Sequence, residues 1–134
     1  MIEEYSKQKQ FYNEHLILMK CGKFYYTYGN DSYIINYLFD YQIIKNKVAF
    51  PEIVLEKVKN VLEREKIAHL VIDKNSFYCS SKQKDYKERY TNLLKKCKQA
   101  YDYKKRIKIV CDKLLFSMKP NEINEKLSTI EELL

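Results

Sequence analysis

Residues 21–29 read Cys-Gly-Lys-Phe-Tyr-Tyr-Thr-Tyr-Gly, which crowds Phe24, Tyr25, Tyr26 and Tyr28 into five positions. Rings beside a glycine turn have two uses. They fill a core, or they stack on nucleic-acid bases, where each base–aromatic stack is worth ~1–3 kcal/mol and tolerates any sequence. Strand alternation puts Phe24, Tyr26 and Tyr28 on one face and Tyr25 and Thr27 on the other, so at least two of the rings are expected to pack. A second group of chemically capable residues lies further along the chain. Lys82, Lys84, Lys87, Arg89, Lys95, Lys96, Lys98, Lys104, Lys105, Arg106 and Lys108 crowd into one segment. Residues 82–119 carry 13 Lys/Arg against 4 Asp/Glu, whereas residues 1–81 carry 11 against 10 and residues 120–134 carry 1 against 4. The net charge of +7 therefore belongs to one segment. Local acids are too few to balance it, which favours a polyanionic partner. Contacts to phosphates would release counterions, so binding should fall steeply with salt. The plainer use of such lysines is the solvated outer face of an amphipathic helix. A membrane surface is not expected, because no Trp/Phe/Leu face accompanies the charge.

Other chemistries find little support. Cys21, Cys79, Cys97 and Cys111 form no CxxC pair, and only His15 and His69 could join them as metal ligands. Structural thiols in a reducing compartment, with no metal and no cofactor, are the expectation. Carboxylate pairs, Cys–His pairs and Ser–His–Asp sets do not emerge at catalytic spacing, and no enzyme is expected. No GxxxxGK[ST] is present, and the chain has two glycines in all. The charge-free stretch around Tyr33–Phe39 is far too short to span a bilayer. Met1-Ile2-Glu3-Glu4 does not read as a secretory leader, so a cytoplasmic protein is expected.

These residues need elements to position them. Glu3–Asn13 reads as a helix with Tyr5, Gln8, Phe11 and Tyr12 on one side. His15–Cys21 has the continuous apolar run of a strand buried on both faces. Gly22 turns it into Phe24–Tyr28, and the two strands are expected to pair as a hairpin. Asn30 or Asp31 can cap a following helix with an apolar stripe of Ile34, Ile35, Leu38 and Phe39. Tyr41–Ile44 and Val48–Phe50 bracket Lys45-Asn46-Lys47 as a second, weaker hairpin. Pro51 then opens a helix whose core face is Ile53, Val54, Val58, Val61 and Leu62. Ile67–Ile72 is another buried strand, ended by Asp73-Lys74-Asn75. The class expected is α/β (α+β): a small mixed sheet covered by helices.

From Tyr86 the pattern changes. Tyr86, Tyr90, Leu93, Cys97, Ala100, Lys104, Ile107, Cys111 and Leu114 step alternately by four and three, a heptad seam interrupted by Lys104. One long helix satisfies it, as do two helices bent near Asp102–Tyr103. Lys119-Pro120-Asn121 breaks the seam, and Ile123, Leu127, Ile130 and Leu134 mark a short acidic closing helix. The organisation expected is an α/β domain over residues 1–78 and a basic helical extension over residues 79–134 packed on it. Packing on the sheet or within one chain is the expected use of the seam, with a homodimer as the alternative, since Lys104 weakens a long symmetric coiled coil.

The order helix, strand, Gly-x-Phe-Tyr, Asp-containing loop, helix, hairpin, Pro-opened helix, strand resembles the N-terminal mismatch-recognition domain of the MutS DNA-repair family. That family carries Gly-Asp-Phe-Tyr-Glu-Leu-Phe after a buried strand, a Tyr-Asp-Asp-Ala helix start, a Leu-Leu-Asp helix end and a Val-Pro-Tyr-His helix start. Gly22, Phe24 and Tyr25 match the first element, Asp31 the second, Leu38 and Asp40 the third without a gap, and Pro51 the fourth. The resemblance covers about residues 1–75. It implies a stacking role for Phe24, at the position of the phenylalanine that stacks on a mispaired base. Tyr26 stands where the family has the glutamate that bonds that base, Lys23 where it has aspartate, and Ile53 where it has histidine. The ring is kept while the carboxylate is not. The resemblance extends to stand-alone MutS-like small proteins encoded beside reverse transcriptases. It implies a non-enzymatic accessory protein that binds DNA or RNA, with a polymerase or reverse transcriptase as partner. The interface expected is Lys23, Phe24 and Tyr26 together with Lys82, Lys84, Arg89, Lys95, Lys96, Lys98, Lys104, Lys105 and Arg106. A protein-interaction adaptor using the helical seam and a mismatch sensor are the alternatives.

Overall fold

The computed structural model describes residues 2–134. The chain divides into two compact units, one ending at Gln99 and the other running from Ala100 to Leu134. The first unit is built on a mixed five-stranded sheet. Helix α1 (Ile2–Phe11) leads into the hairpin β1 (Leu16–Cys21) and β2 (Phe24–Tyr28), followed by α2 (Asn30–Phe39) and β3 (Lys47–Pro51). A 3-10 turn (Glu52–Val54), α3 (Leu55–Arg64), β4 (His69–Ile72) and β5 (Phe77–Cys79) complete it, before the long helix α4 (Tyr86–Ser117). The strand order is β3-β2-β1-β4-β5. Only β1 and β4 run parallel; the other neighbours are antiparallel.

The central position of β1 explains its unbroken apolar run, because both of its faces are covered. On one face Leu16, Leu18, Tyr25, Val48, Phe50 and Val71 meet Ile34 and Ile35 of α2, Val58 and Leu62 of α3, and Tyr90 and Cys97 of α4. On the other, Ile17, Met19 and Leu70 lie under Tyr5 of α1, with Tyr12, Tyr28 and Ile72 at the margin. Tyr25 and Thr27 are thus the buried side of β2, while Phe24, Tyr26 and Tyr28 line the side that α1 only partly covers.

Several expectations are corrected. Tyr41–Ile44 is not a strand: Lys45 and Asn46 make a two-residue turn at φ 51° and 65°, but only Ile44 pairs, with Lys47. The reason is that β3 spends its ladder on β2, and Tyr41 instead lays its ring against Phe39 and Phe50. Neither Asn30 nor Asp31 caps α2; Gly29 holds the N-cap position, and no side chain bonds there. The Asp31 carboxylate turns inward instead. Proline ends β3, and three residues of 3-10 turn precede α3, which leaves Ile53 86% exposed rather than in the core. Phe11 is 81% exposed and does not share the buried side of Tyr5. Strand β5 was not expected; it is three residues long, and none of them is buried.

Helix α4 is continuous through Asp102–Tyr103, and its buried residues, Tyr90 and Cys97, both fall in the first unit. The second unit holds the rest of α4 and helix α5 (Pro120–Leu133), in which no residue is buried. Lys119, extended at ψ 153°, and Pro120 at the first turn make the break between them.

Candidate nucleic-acid interface

The β1–β2 connection is a two-residue turn, with Cys21 paired to Phe24 across it. Gly22 sits at φ 63° while Lys23 does not enter the left-handed region. A lone glycine at the first central position gives the turn whose twist suits a tight hairpin. The Lys23 carbonyl accepts a 2.9 Å hydrogen bond from the Glu52 amide, which ties the tip to the 3-10 turn. Lys23 and Phe24 are therefore displayed on a braced tip. Phe24 is 44% exposed, flanked in the sheet by exposed Cys21 and exposed Pro51.

One row further in, Tyr26 lies between Met19 and Ala49 and is half-buried. The Lys47 ammonium stands 5.5 Å from the centroid of its ring. A cation over a ring face is attracted by the ring quadrupole. Beside Tyr26, along the edge strand β3, a groove of about 720 Å³ is lined by Tyr41, Ile44, Ala49, Pro51 and Val54 among others. The next ring, Tyr28, is taken up by an edge-on contact with Tyr5 at 5.0 Å. The three outward rings thus grade from structural at Tyr28 to open at Phe24.

Asp31 fixes the base of this hairpin. Its carboxylate is fully buried and accepts from the Lys9 ammonium at 2.8 Å, the Ile17 amide at 3.2 Å, the Tyr90 hydroxyl at 2.5 Å and the Tyr5 hydroxyl. Tyr5 also lies 3.0 Å from the Thr27 hydroxyl, and Lys9 donates to the His15 carbonyl at 2.6 Å. Burial, with the nearby carboxylate charge, pushes the phenols of Tyr5 and Tyr90 well above their ordinary range. They stay protonated and keep donating. Four elements, α1, β1, α2 and α4, meet on one carboxylate.

The basic residues are distributed over several surfaces. In the first unit Lys82, Lys84, Lys95, Lys96 and Lys98 are exposed. Lys98 stands 5.8 Å from the ring of Tyr33, and Lys82 and Lys87 stand 5.9 and 6.0 Å from that of Tyr86. Arg89 is half-buried and donates to the Glu65 carbonyl at 3.0 Å, beyond the last turn of α3. With Lys96 it lines a groove of about 260 Å³. The second unit carries Lys104, Lys105 and Arg106, all exposed, with Lys105 4.5 Å from the ring of Tyr101. Lys23, Phe24 and Tyr26 are brought together, whereas α4 buries its residues against the opposite face of the sheet. Lys47, beside Tyr26, carried no sequence signal beyond being a turn lysine.

His15 and His69 are both buried. His15 lies between the rings of Tyr12 and Tyr86, at 5.1 and 5.2 Å. Burial, reinforced by the charges of Lys82 and Lys9, lowers its pKa to about 4. Burial also lowers that of His69, whose Nδ1 lies 2.8 Å from the Ile67 carbonyl and therefore carries the proton. The Cys97 thiol is pushed up to about 12 by burial, so the one buried thiol is an inert one. Among the described residues no three His, Cys, Asp or Glu side chains gather where a metal could be held. Nor is any helix long and apolar enough to cross a membrane.

No curated protein matches the chain significantly. Residues 1–57 match the family model of MutS domain I. The matched span holds the turn at Gly22, the ring of Phe24, the carboxylate of Asp31 and the edge strand β3. The N-terminal part of this chain is a MutS N-terminal-like domain of mixed α/β class.

Proposed function

We propose that this chain is a nucleic-acid-binding accessory protein, with DNA as the favoured ligand and no ATPase or other enzymatic step of its own. The observation that carries this reading is the exposure of Phe24 on a braced hairpin tip, inside the span that matches MutS domain I. A ring in that position can stack on a base; Lys23 adjoins it at the hairpin tip, and Lys47 adds positive charge beside the next ring, Tyr26. Tyr26 supplies a hydroxyl where the resembling family has a carboxylate, so it can stack or donate to a base but cannot accept as an anion. Exposed lysines of the helical segment supply phosphate contacts that are indifferent to sequence. Such a protein would hold template for a polymerase or reverse transcriptase.

The test is anisotropy of a labelled duplex titrated with the full chain at several salt concentrations. Affinity is expected to fall steeply as salt rises, and Phe24→Ala to weaken binding by roughly 5- to 150-fold, the equivalent of one base stack. Absent binding, or binding indifferent to salt, removes the reading. Mismatch sensing is the sharper form: it requires a preference for mispaired over paired duplex that Phe24→Ala abolishes. Equal affinity for both duplexes sinks that form and leaves the general one. The adaptor reading is favoured by a different observation, the uncovered apolar side chains of the second unit such as Ile107, Leu115 and Phe116. It predicts no nucleic-acid binding even at low salt.

A further inference from the structure

We infer that the second unit is a self-association module, in which α5 of one copy packs along the α4 segment 100–117 of another. Three properties of this unit point there together. First, its apolar side chains are placed for packing, and most of them are exposed, with Leu114 and Ile123 half-buried. On the α4 segment Ile107, Val110 and Leu114 lie three and four positions apart, and on α5 Ile123, Leu127 and Ile130 do the same. Such spacing puts each trio on one side of its helix. Ile107, Val110, Leu127 and Ile130 are all exposed in the single chain, and α5 buries no residue at all. Helices of this length owe most of their stability to packing of an apolar side, so these two need a partner.

Second, the two helices carry opposite charge. Residues 100–119 hold six Lys/Arg against two Asp, and residues 120–134 hold four Glu against one Lys. Two basic α4 segments laid side by side would repel, as would two acidic α5 helices. The cross pairing attracts. Third, symmetry makes that pairing self-complete: in a two-fold dimer, each copy's basic helix receives the other's acidic helix, and the favourable contact is made twice. Four helices with stripes at this spacing are the components of a four-helix bundle. An acidic foreign helix could meet the α4 segment, but it would leave α5 uncovered; a second copy covers both. The inference does not depend on nucleic-acid binding: Lys105 and Arg106 belong to both readings, but the experiment below reads self-association without nucleic acid.

Sedimentation velocity and light scattering of the full chain, over a hundredfold range of concentration, decide it. The wild type is expected to be a dimer, and Leu127→Lys with Ile130→Lys to weaken dimerisation by at least roughly tenfold. A charge experiment guards against variants that merely unfold. One chain carries Glu122→Lys, Glu125→Lys, Glu131→Lys and Glu132→Lys; the other carries Lys105→Glu, Arg106→Glu, Lys108→Glu and Lys113→Glu. Each is expected to be monomeric alone and to form a heterodimer when the two are mixed, with circular dichroism reporting that both are folded. A wild type that stays monomeric throughout overturns the inference. So does a dimer that ignores the Leu127 and Ile130 changes, or a pair of folded charge-reversed chains that do not associate.

Discussion

Asp31 and Phe24 are seven residues apart and have opposite fates, because one carries charge into the interior and the other leaves an apolar ring outside it. The carboxylate of Asp31 survives burial only because two phenols, an ammonium and a backbone amide all donate to it. Removing it strands those donors, so Asp31→Ala is expected to cost about 3–5 kcal/mol. Tyr90→Phe removes a single bond to a charged group and is expected to cost about 1.5–3 kcal/mol. Urea unfolding followed by circular dichroism measures both. Phe24→Ala should behave in the contrary way: stability within about 0.5 kcal/mol of wild type, since the ring is half outside, with the loss appearing in duplex affinity. A large stability loss in Phe24→Ala would mean that the ring is packing rather than presented.

At the scale of elements, the hairpin tip depends on backbone conformation more than on space. A Cβ added at Gly22 would meet no atom within 4 Å, so a substitution there carries no clash. What it carries is the left-handed φ of 63°, which costs an L-residue about 1–2 kcal/mol. Gly22→Ala should therefore destabilise by that amount in the same urea titration; no loss would mean that the turn has changed type. The sheet strands were legible in the sequence where the period was strong, as in the apolar run of β1 and the aromatic alternation of β2. The arm Tyr41–Ile44 looked like a strand because its residues are apolar. The Tyr41 ring is spent on Phe39 and Phe50, and Ile44 makes one isolated bridge to Lys47 in place of a ladder. Strand β5 was illegible because three exposed residues carry no period, and only the free edge of β4 recruits them.

For the molecule as a whole, acid is a natural lever. The His15 imidazole titrates at the ordinary 6.5 in the unfolded chain and at about 4 in the folded one. Above 6.5 both states are neutral, and the full stability is present. As pH falls from 6.5 to 4 the unfolded state takes up the proton first, so stability is lost across that window, by about 3 kcal/mol at most. His69 is shifted in the same direction and adds to the loss. Thermal melts between pH 6.5 and 4 should show a falling midpoint. His15→Phe, which keeps a ring between Tyr12 and Tyr86 without a titrating group, should flatten part of that fall; an unchanged slope would clear His15 of responsibility. Charge acts at the same scale, since the net +7 is gathered in the helical segment and opposed only by the acidic last helix.

Composition, period and spacing by themselves determined the mixed α/β class, the aromatic hairpin at Gly22 and a basic helical segment broken at Pro120; that this segment is one helix and not two bent near Asp102–Tyr103 came from the structure. These follow from local rules: backbone preference, side-chain alternation and the heptad repeat each act over a few residues. Tertiary structure alone decided which aromatic is open and which is core. Phe24 and Tyr28 lie on the same side of one strand, yet Tyr28 is covered because Tyr5 arrives from α1, while Phe24 stays 44% exposed. It also decided that Asp31, a plausible helix cap by its position, is the buried anchor that Tyr90 reaches from fifty-nine residues away. Burial and charge pairing are set by partners distant in the chain, and no local pattern encodes who those partners will be.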